Sequence, residues 1–400
     1  MFLSGALLRF EGRMTGITYP VGVLFSRSGS YAQPASQGFR GTMAAIEHVN
    51  ASPRFAFRLD AFHLDPAGEA DRYAPLCRQL IREHDVRHVV GCTTSWSRKE
   101  VIPVVEKLDA LLWYPCVYEG FEVSENLIYV AACANQHLVP LLDYIAPRFG
   151  SRAMLVGSNY IWGWENNRIA RDILHRSGGE VVGERFVSIG DTDIAHLVDE
   201  VREKKPDFIL NNLIGPSSYA FLRAFQALAE ADDRFHPDKC PVISCNLYEG
   251  EIAGLGRAAA GHFTVSCYFH TIESPENDSF LRMLAALDPG AVVDAFYVQA
   301  FSAVVMIAEA IARSGSDDAD LVRNSLRGQA VDTPLGTISV DRWTNHVELP
   351  AHIGRGRADG SFEIVKRSHE SIAPDPFLTS TPLVRPLGRD EGRPDLKVVK

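Results

Sequence analysis

Between residues 92 and 122 the chain gathers side chains that could hold a small molecule or act on one. Cys92-Thr93-Thr94-Ser95 sets three hydroxyls after a thiol, and Tyr114-Pro115-Cys116-Val117-Tyr118-Glu119-Gly120 follows, with Glu122 close behind. Hydroxyls and phenols donate and accept hydrogen bonds without carrying a charge. Glu119 and Glu122 are of the residue type used for acid/base work, yet they lie three apart on one loop with no motif-linked His or Lys. A solvated loop or a closing contact is expected there rather than catalysis. His137 and His270 are isolated from each other and make no metal site. No G-x-S-x-G, phosphate-binding loop or H-E-x-x-H occurs, so the familiar hydrolase and NTPase signatures are missing. These residues point to a non-enzymatic site for a small, uncharged, polar ligand, with no cofactor and no metal.

The elements that must position them alternate between strand and helix. His88–Gly91 and Ala110–Tyr114 read as short apolar strands joined by a helix, and Ser97-Arg98-Lys99-Glu100 fits the S-x-x-E pattern of a helix start. Pro103 inside that helix should bend it or shift its start. Upstream, the strand Tyr19–Phe25 precedes helical periodicity over Gln37–Asn50, and the strand Phe57–Leu64 precedes Glu69–Glu83. A second run follows: helix His137–Phe149, strand Ala153–Val156, helix Glu165–Arg176, strand Glu180–Val187, helix Ile194–Glu203, strand Asp207–Leu210, helix Ser217–Ala231 and strand Pro241–Cys245. The last third reads as strand Phe263–Phe269, helices Glu276–Leu287, Asp294–Ser314 and Asp318–Arg327, then strands near Gly336–Val340, Val347–Ile353 and Gly360–Val365. Strands alternating with helices in this way predict mainly parallel sheets with helices on both faces. In such sheets ligands sit beyond the carboxyl ends of the strands, where both hydroxyl- and tyrosine-bearing loops fall.

The chain has 400 residues, more than one hydrophobic core usually supports, so two domains are expected. The net charge of −10 argues against a nucleic-acid surface, which needs a basic face. No run of 18 apolar residues occurs, so no membrane span is predicted. Met1–Arg13 has no basic residue ahead of its short apolar stretch and is a poor secretory signal, which favours a cytoplasmic location. The seven cysteines have no C-x-x-C spacing and read as buried, reduced thiols.

The stretch SRKEVIPVVEKLDALLWYPCVYEGFE resembles the type I periplasmic-binding-protein family, and within it the amide-sensing negative regulators of amidase operons and their short-chain amide- and urea-binding relatives. Leu64-Asp65-Pro66-Ala67-Gly68 with Asp71-Arg72-Tyr73, Gly157-Ser158-Asn159-Tyr160-Ile161, and Asp332-Thr333-Pro334-Leu335-Gly336 are similar to them too, and the likeness runs from about residue 19 to 377. It implies an α/β fold: a two-lobed clamshell, each lobe a mainly parallel sheet flanked by helices. The chain would cross between lobes three times. Lobe 1 would comprise residues 17–131 and 269–335, lobe 2 residues 132–268 and 336–377, with flexible ends at 1–16 and 378–400.

The resemblance further implies that Thr94, Ser95, Tyr114, Cys116, Tyr160 and Trp162 bind the ligand, an amide-like small molecule. Ser95 and nearby loop N–H groups would meet its carbonyl. Trp162 and Cys116 stand where the resembled regulators carry a tyrosine and a threonine, and Thr93 replaces an aromatic, so the pocket should be rearranged. The implied role is a cytoplasmic ligand sensor that sequesters an RNA-binding antitermination partner. The alternative is the periplasmic substrate-binding component of an ABC importer for short-chain amides or urea. Homo-oligomerisation is left open.

Overall fold

The computed structural model describes residues 16–383. Residues 1–15 of the proposed N-terminal flexible end and residues 384–400 of the C-terminal one lie outside these residues. Within them the two-lobed α/β architecture is present, built on two separate sheets.

The first sheet is formed by β1 (Ile17–Leu24), β2 (Phe57–Leu64), β3 (His88–Gly91), β4 (Leu111–Tyr114) and β5 (Leu127–Tyr129). Its order is β2-β1-β3-β4-β5, and every pairing is parallel. The helices between these strands are α1 (Ala32–Ala51), α2 (Tyr73–His84) and α3 (Ser95–Leu108). From β1 the chain moves outward to β2, then back across β1 to β3. Right-handed crossovers therefore place α1 on one face and α2 and α3 on the other.

The second sheet begins after α4 (Leu138–Phe149) with β6 (Arg152–Ser158), α5 (Ile161–Arg176), β7 (Glu180–Val187), α6 (Ala195–Lys204), β8 (Phe208–Asn212), α7 (Pro216–Ala231), β9 (Val242–Ser244), α8 (Glu249–Ile252) and β10 (Phe263–Ser266). The chain then runs through α9 (Pro275–Leu287), α10 (Ala295–Ser314), α11 (Ala319–Leu326) and the antiparallel pair β11 (Ala330–Thr333) and β12 (Gly336–Ser339). Strands β13 (His352–Gly356) and β14 (Phe362–Lys366) close the second sheet as antiparallel additions, giving the order β14-β13-β10-β9-β8-β6-β7.

Helix α10 is a core element of the first lobe. It packs along α1 and beneath β3 and β4, and nearly all of it before its C-terminal end is buried. That burial, rather than a bilayer, accounts for its apolar surface on every side. The approach to α1 is close at Gly41, where a Cβ would lie 2.2 Å from the Tyr297 carbonyl oxygen.

Three local expectations need correction. Helix α3 starts at Ser95, not after Ser97: Thr94 is the N-cap, its side chain accepts from the Ser97 N–H, and Ser97 Oγ accepts from the Thr94 N–H. The S-x-x-E pattern is one turn too late because Ser97 serves as the third helical residue of a box that begins at Thr94. Pro103 is accommodated within α3, which continues to Leu108. The strand expected over Val347–Ile353 instead begins at His352, beyond Pro350.

Candidate functional site

A small cavity lies between the two lobes, and its wall comes from loops that follow strand ends. Tyr31 follows β1; Thr93 and Ser95 follow β3; Tyr114 and Cys116 belong to the end of β4; Tyr160 and Trp162 follow β6; Asn246 and Glu251 follow β9. Parallel strands carry their exposed carboxyl ends to one edge, so loops far apart in sequence converge there. The loop after β3 starts with strained backbone: Cys92 has φ +65°, a left-handed conformation that costs roughly 1–2 kcal/mol in a non-glycine residue.

The lobes are closed on each other. The Tyr160 ring meets Trp96 edge-on at 5.4 Å and Tyr31 at 6.4 Å. Gln33 of α1 donates to the Gly250 carbonyl of α8 at 2.8 Å. Gly215, the N-cap of α7, has φ +52°, and a Cβ on it would lie 2.2 Å from the Ser30 carbonyl oxygen. Only glycine permits this contact between the lobes without displacement. In this closed form the cavity gives the centres of water-sized groups about 30 Å³, where one water needs roughly 10–15 Å³. A wider vestibule of about 390 Å³ lies outside it, bordered by Ser26, Gly68, Thr94, Trp96 and Ile189, with Tyr31 shared between the two spaces.

Of the residues expected at the site, Ser95, Tyr114, Cys116, Tyr160 and Trp162 line the cavity. Thr94 faces the vestibule and its hydroxyl is engaged in capping α3, while its neighbour Thr93 lines the cavity. Tyr31, Pro34, Val117, Ile214, Asn246, Glu251 and Phe296 complete the wall and were not foreseen as site residues. Their positions after strand ends and at the start of α10 were the available signal.

Glu119 and Glu122 are not solvated. Arg98 is fully buried and donates through Nη2 to Glu119 Oε1 at 2.8 Å and through Nε to Glu122 Oε1 at 2.7 Å. Its guanidinium sits over the Tyr114 ring at 4.9 Å and the Tyr118 ring at 4.6 Å. Lys99 donates to Glu122 Oε2 at 2.8 Å, so two cations meet two carboxylates. Burial pushes Glu122 up, but the Arg98 charge and hydrogen bonds, with Lys99, outweigh it and hold that carboxyl below its ordinary value. These groups are a charge-balanced foundation behind the Tyr114 ring, with no reacting centre beside them. His137 is likewise structural: Nε2 is 3.0 Å from the Tyr118 carbonyl oxygen, and burial lowers its pKa to about 4.

The opposite lobe contributes acid. Glu251 lines the cavity, and burial followed by the charge of Asp294 pushes it up to about 8. Tyr219 Oη donates to Glu251 Oε1 at 3.3 Å. Four buried polar atoms of wall residues have no protein partner: Tyr31 Oη, Thr93 Oγ1, Trp162 Nε1 and Glu251 Oε2. Buried polar groups are normally hydrogen-bonded, and orphans gathered on one wall mark where a ligand's polar groups would fit. The wall carries no Lys, Arg or His. Among the described residues, no group of three His, Cys, Asp or Glu side chains is placed to hold a metal ion. All seven cysteines are buried and unpaired.

A family model described as "Periplasmic binding protein domain" matches residues 19–383. The leucine-, isoleucine-, valine-, threonine- and alanine-binding protein of Pseudomonas aeruginosa is 22% identical over 355 residues, 85% of this chain and 91% of that protein. A protein of Geobacillus stearothermophilus named limonene hydroxylase is 32% identical over 124 residues, 31% of this chain and only 23% of that protein's length. Among solved structures, the solute-binding protein of an ABC transporter from Rhodopseudomonas palustris, in complex with p-hydroxybenzoic acid, superposes with a TM-score of 0.79 at 20% identity. It covers 91% of this chain and 99% of its own. A branched-chain amino acid transporter substrate-binding protein from Streptococcus pneumoniae, in complex with isoleucine, gives 0.75 at 18% identity, covering 87% and 99%.

Proposed function

The chain belongs to the periplasmic binding protein domain family, and on that premise we propose that it captures a small, uncharged, amide-like molecule in the cleft between its lobes. It works without catalysis, as the substrate-binding component of an ABC importer for short-chain amides or urea. The observation that carries this reading is the chemistry of the closed cavity: four unpartnered polar atoms on the wall and no cationic side chain. Isoleucine and p-hydroxybenzoic acid, held by the two structural relatives, both bear a carboxyl group. Burying an uncompensated charge is expensive, and the wall offers no cationic side chain to meet either carboxylate. An amide or urea offers a carbonyl acceptor and N–H donors with no net charge.

The relatives named above favour importer over sensor, and with the importer goes a periplasmic location. The sensor reading, with an RNA-binding antitermination partner and a cytoplasmic location, is supported only by the sequence resemblance at residues 64–73, 97–122, 157–161 and 332–336 and by the poor secretory character of Met1–Arg13. Fractionation of the native host with N-terminal sequencing of the mature protein separates the two.

Calorimetry of the purified protein tests the ligand class. Acetamide, propionamide or urea should bind, with leucine and p-hydroxybenzoate weaker. Tighter binding of either acid than of every amide overturns the proposal.

A further inference from the structure

Ser95 carries a single hydroxyl proton, and that proton is already committed. Ser95 Oγ donates to Glu119 Oε2 at 2.7 Å, while Glu119 Oε1 accepts from Arg98 Nη2 at 2.8 Å. The guanidinium does not deprotonate in proteins. It is held between the Tyr114 and Tyr118 rings, with Nε on Glu122, so it has little freedom to leave Glu119. A carboxylate paired in this way accepts and does not donate. It therefore draws the serine proton out of the cavity and leaves only lone pairs of Ser95 available on the cavity wall.

We propose that Arg98 and Glu119 are positioning residues that fix Ser95 as a hydrogen-bond acceptor, so that the pocket selects ligands bearing an N–H group over isosteres without one. This rests on the amide-like ligand of the proposed function and adds its orientation and the group that is read. The donor for the ligand's carbonyl is then Trp162, which comes from the other lobe. Its indole N–H can only donate, is buried, and has no protein partner. The ligand spans the cleft with its –NH2 on Ser95 and its carbonyl on Trp162. This reverses the orientation expected from the sequence, in which Ser95 met the carbonyl.

Acetamide and acetone provide the test, being similar in shape, both neutral, both with the carbonyl, and different in –NH2 against –CH3. The parent protein should prefer acetamide by at least tenfold, because an unmatched buried acceptor is the dominant difference between the two. Ser95→Ala should reduce that preference about tenfold. Glu119→Gln should do the same while leaving Ser95 in place, since a glutamine amide can donate to the serine and turn its proton toward the cavity. A purely structural role for Glu119 would lower stability but leave the acetamide-to-acetone ratio alone, so thermal unfolding is followed on the same samples. If Glu119→Gln does not fold, Ser95→Ala decides the matter. An unchanged ratio in a folded variant, with acetamide still bound by the parent, overturns this orientation and leaves the proposed function standing. A parent protein that binds neither acetamide nor urea overturns the proposed function, and this inference with it.

Discussion

Gly215→Ala separates closure of the lobes from the integrity of each lobe. The new methyl would lie 2.2 Å from the Ser30 carbonyl oxygen of the facing lobe, about 1 Å inside ordinary contact, and the obstructing atom is backbone that cannot rotate away. Relief of such overpacking costs roughly 1–3 kcal/mol, here largely by holding the lobes apart. The residue's φ of +52° adds backbone strain, but that strain is local to α7 and present whether the lobes are open or shut. Only the clash belongs to the closed form. Because a ligand that needs the closed form loses affinity in proportion to the population of that form, binding should weaken by about 5- to 150-fold. Gly178→Ala is the matched control: its φ is +81° with nothing within 4 Å, so it carries strain without a clash. Calorimetry gives the affinities, and small-angle scattering with saturating ligand reports compaction. Gly178→Ala should bind like the parent, and Gly215→Ala should stay more extended at ligand concentrations that compact the parent. Equal affinity and equal compaction in Gly215→Ala would refute the view that the Ser30–Gly215 contact belongs to the ligand-holding state.

Other outcomes follow from the charges and caps. Arg98→Met leaves the buried Glu119 without a counter-charge and Glu122 with Lys99 alone, and should destabilise the fold by about 3–5 kcal/mol in urea unfolding; a loss below 1 kcal/mol would show that the foundation behind Tyr114 is dispensable. Glu251 is pushed up to about 8, from an ordinary 4.5, by burial and then by Asp294. Its contribution to stability is therefore full below about pH 4.5 and lost as pH rises through about 8. Glu251→Gln should gain stability relative to the parent between pH 6 and 8.5, and a pH-independent difference in unfolding midpoints would contradict this. Thr94→Ala removes the acceptor for the Ser97 N–H and should cost about 1 kcal/mol of stability, seen as a lower urea midpoint that Thr94→Ser largely restores.

The alternation of strand and helix was legible because each element carries its own periodicity, and the short apolar run His88–Gly91 and the strand read over Glu180–Val187 match the observed strands residue for residue. Features that depend on partners distant in sequence were not. Glu119 and Glu122 look like loop acids until Arg98, on the preceding helix, is found turned inward against both. Glu251 belongs to a helix of 4 residues, too short for any periodic signal, and reaches the cavity only through the order of the second sheet. The misplaced start of α3 has a local cause: Thr94 is followed at the third helical position by Ser97, not by the Glu or Gln that a capping box usually shows, while Ser97 is followed by Glu100. Tyr31 lies between β1 and α1, and beyond its place after a strand end nothing in the small and polar residues before it marked it as facing Tyr160.

Cys116 gives the cleft a clock of its own. It lines the cavity at 3% exposure, and burial pushes its thiol well up, so an alkylating reagent finds little thiolate to attack while the lobes are shut. A parting of the lobes that wets this side of the cleft would restore thiolate reactivity for as long as it lasts. The rate of Cys116 modification therefore counts openings in unlabelled protein, and ligand should slow it in proportion to the time spent closed. Cys77, sealed in the core of the first lobe on α2, reacts only on unfolding and supplies the reference rate within the same molecule.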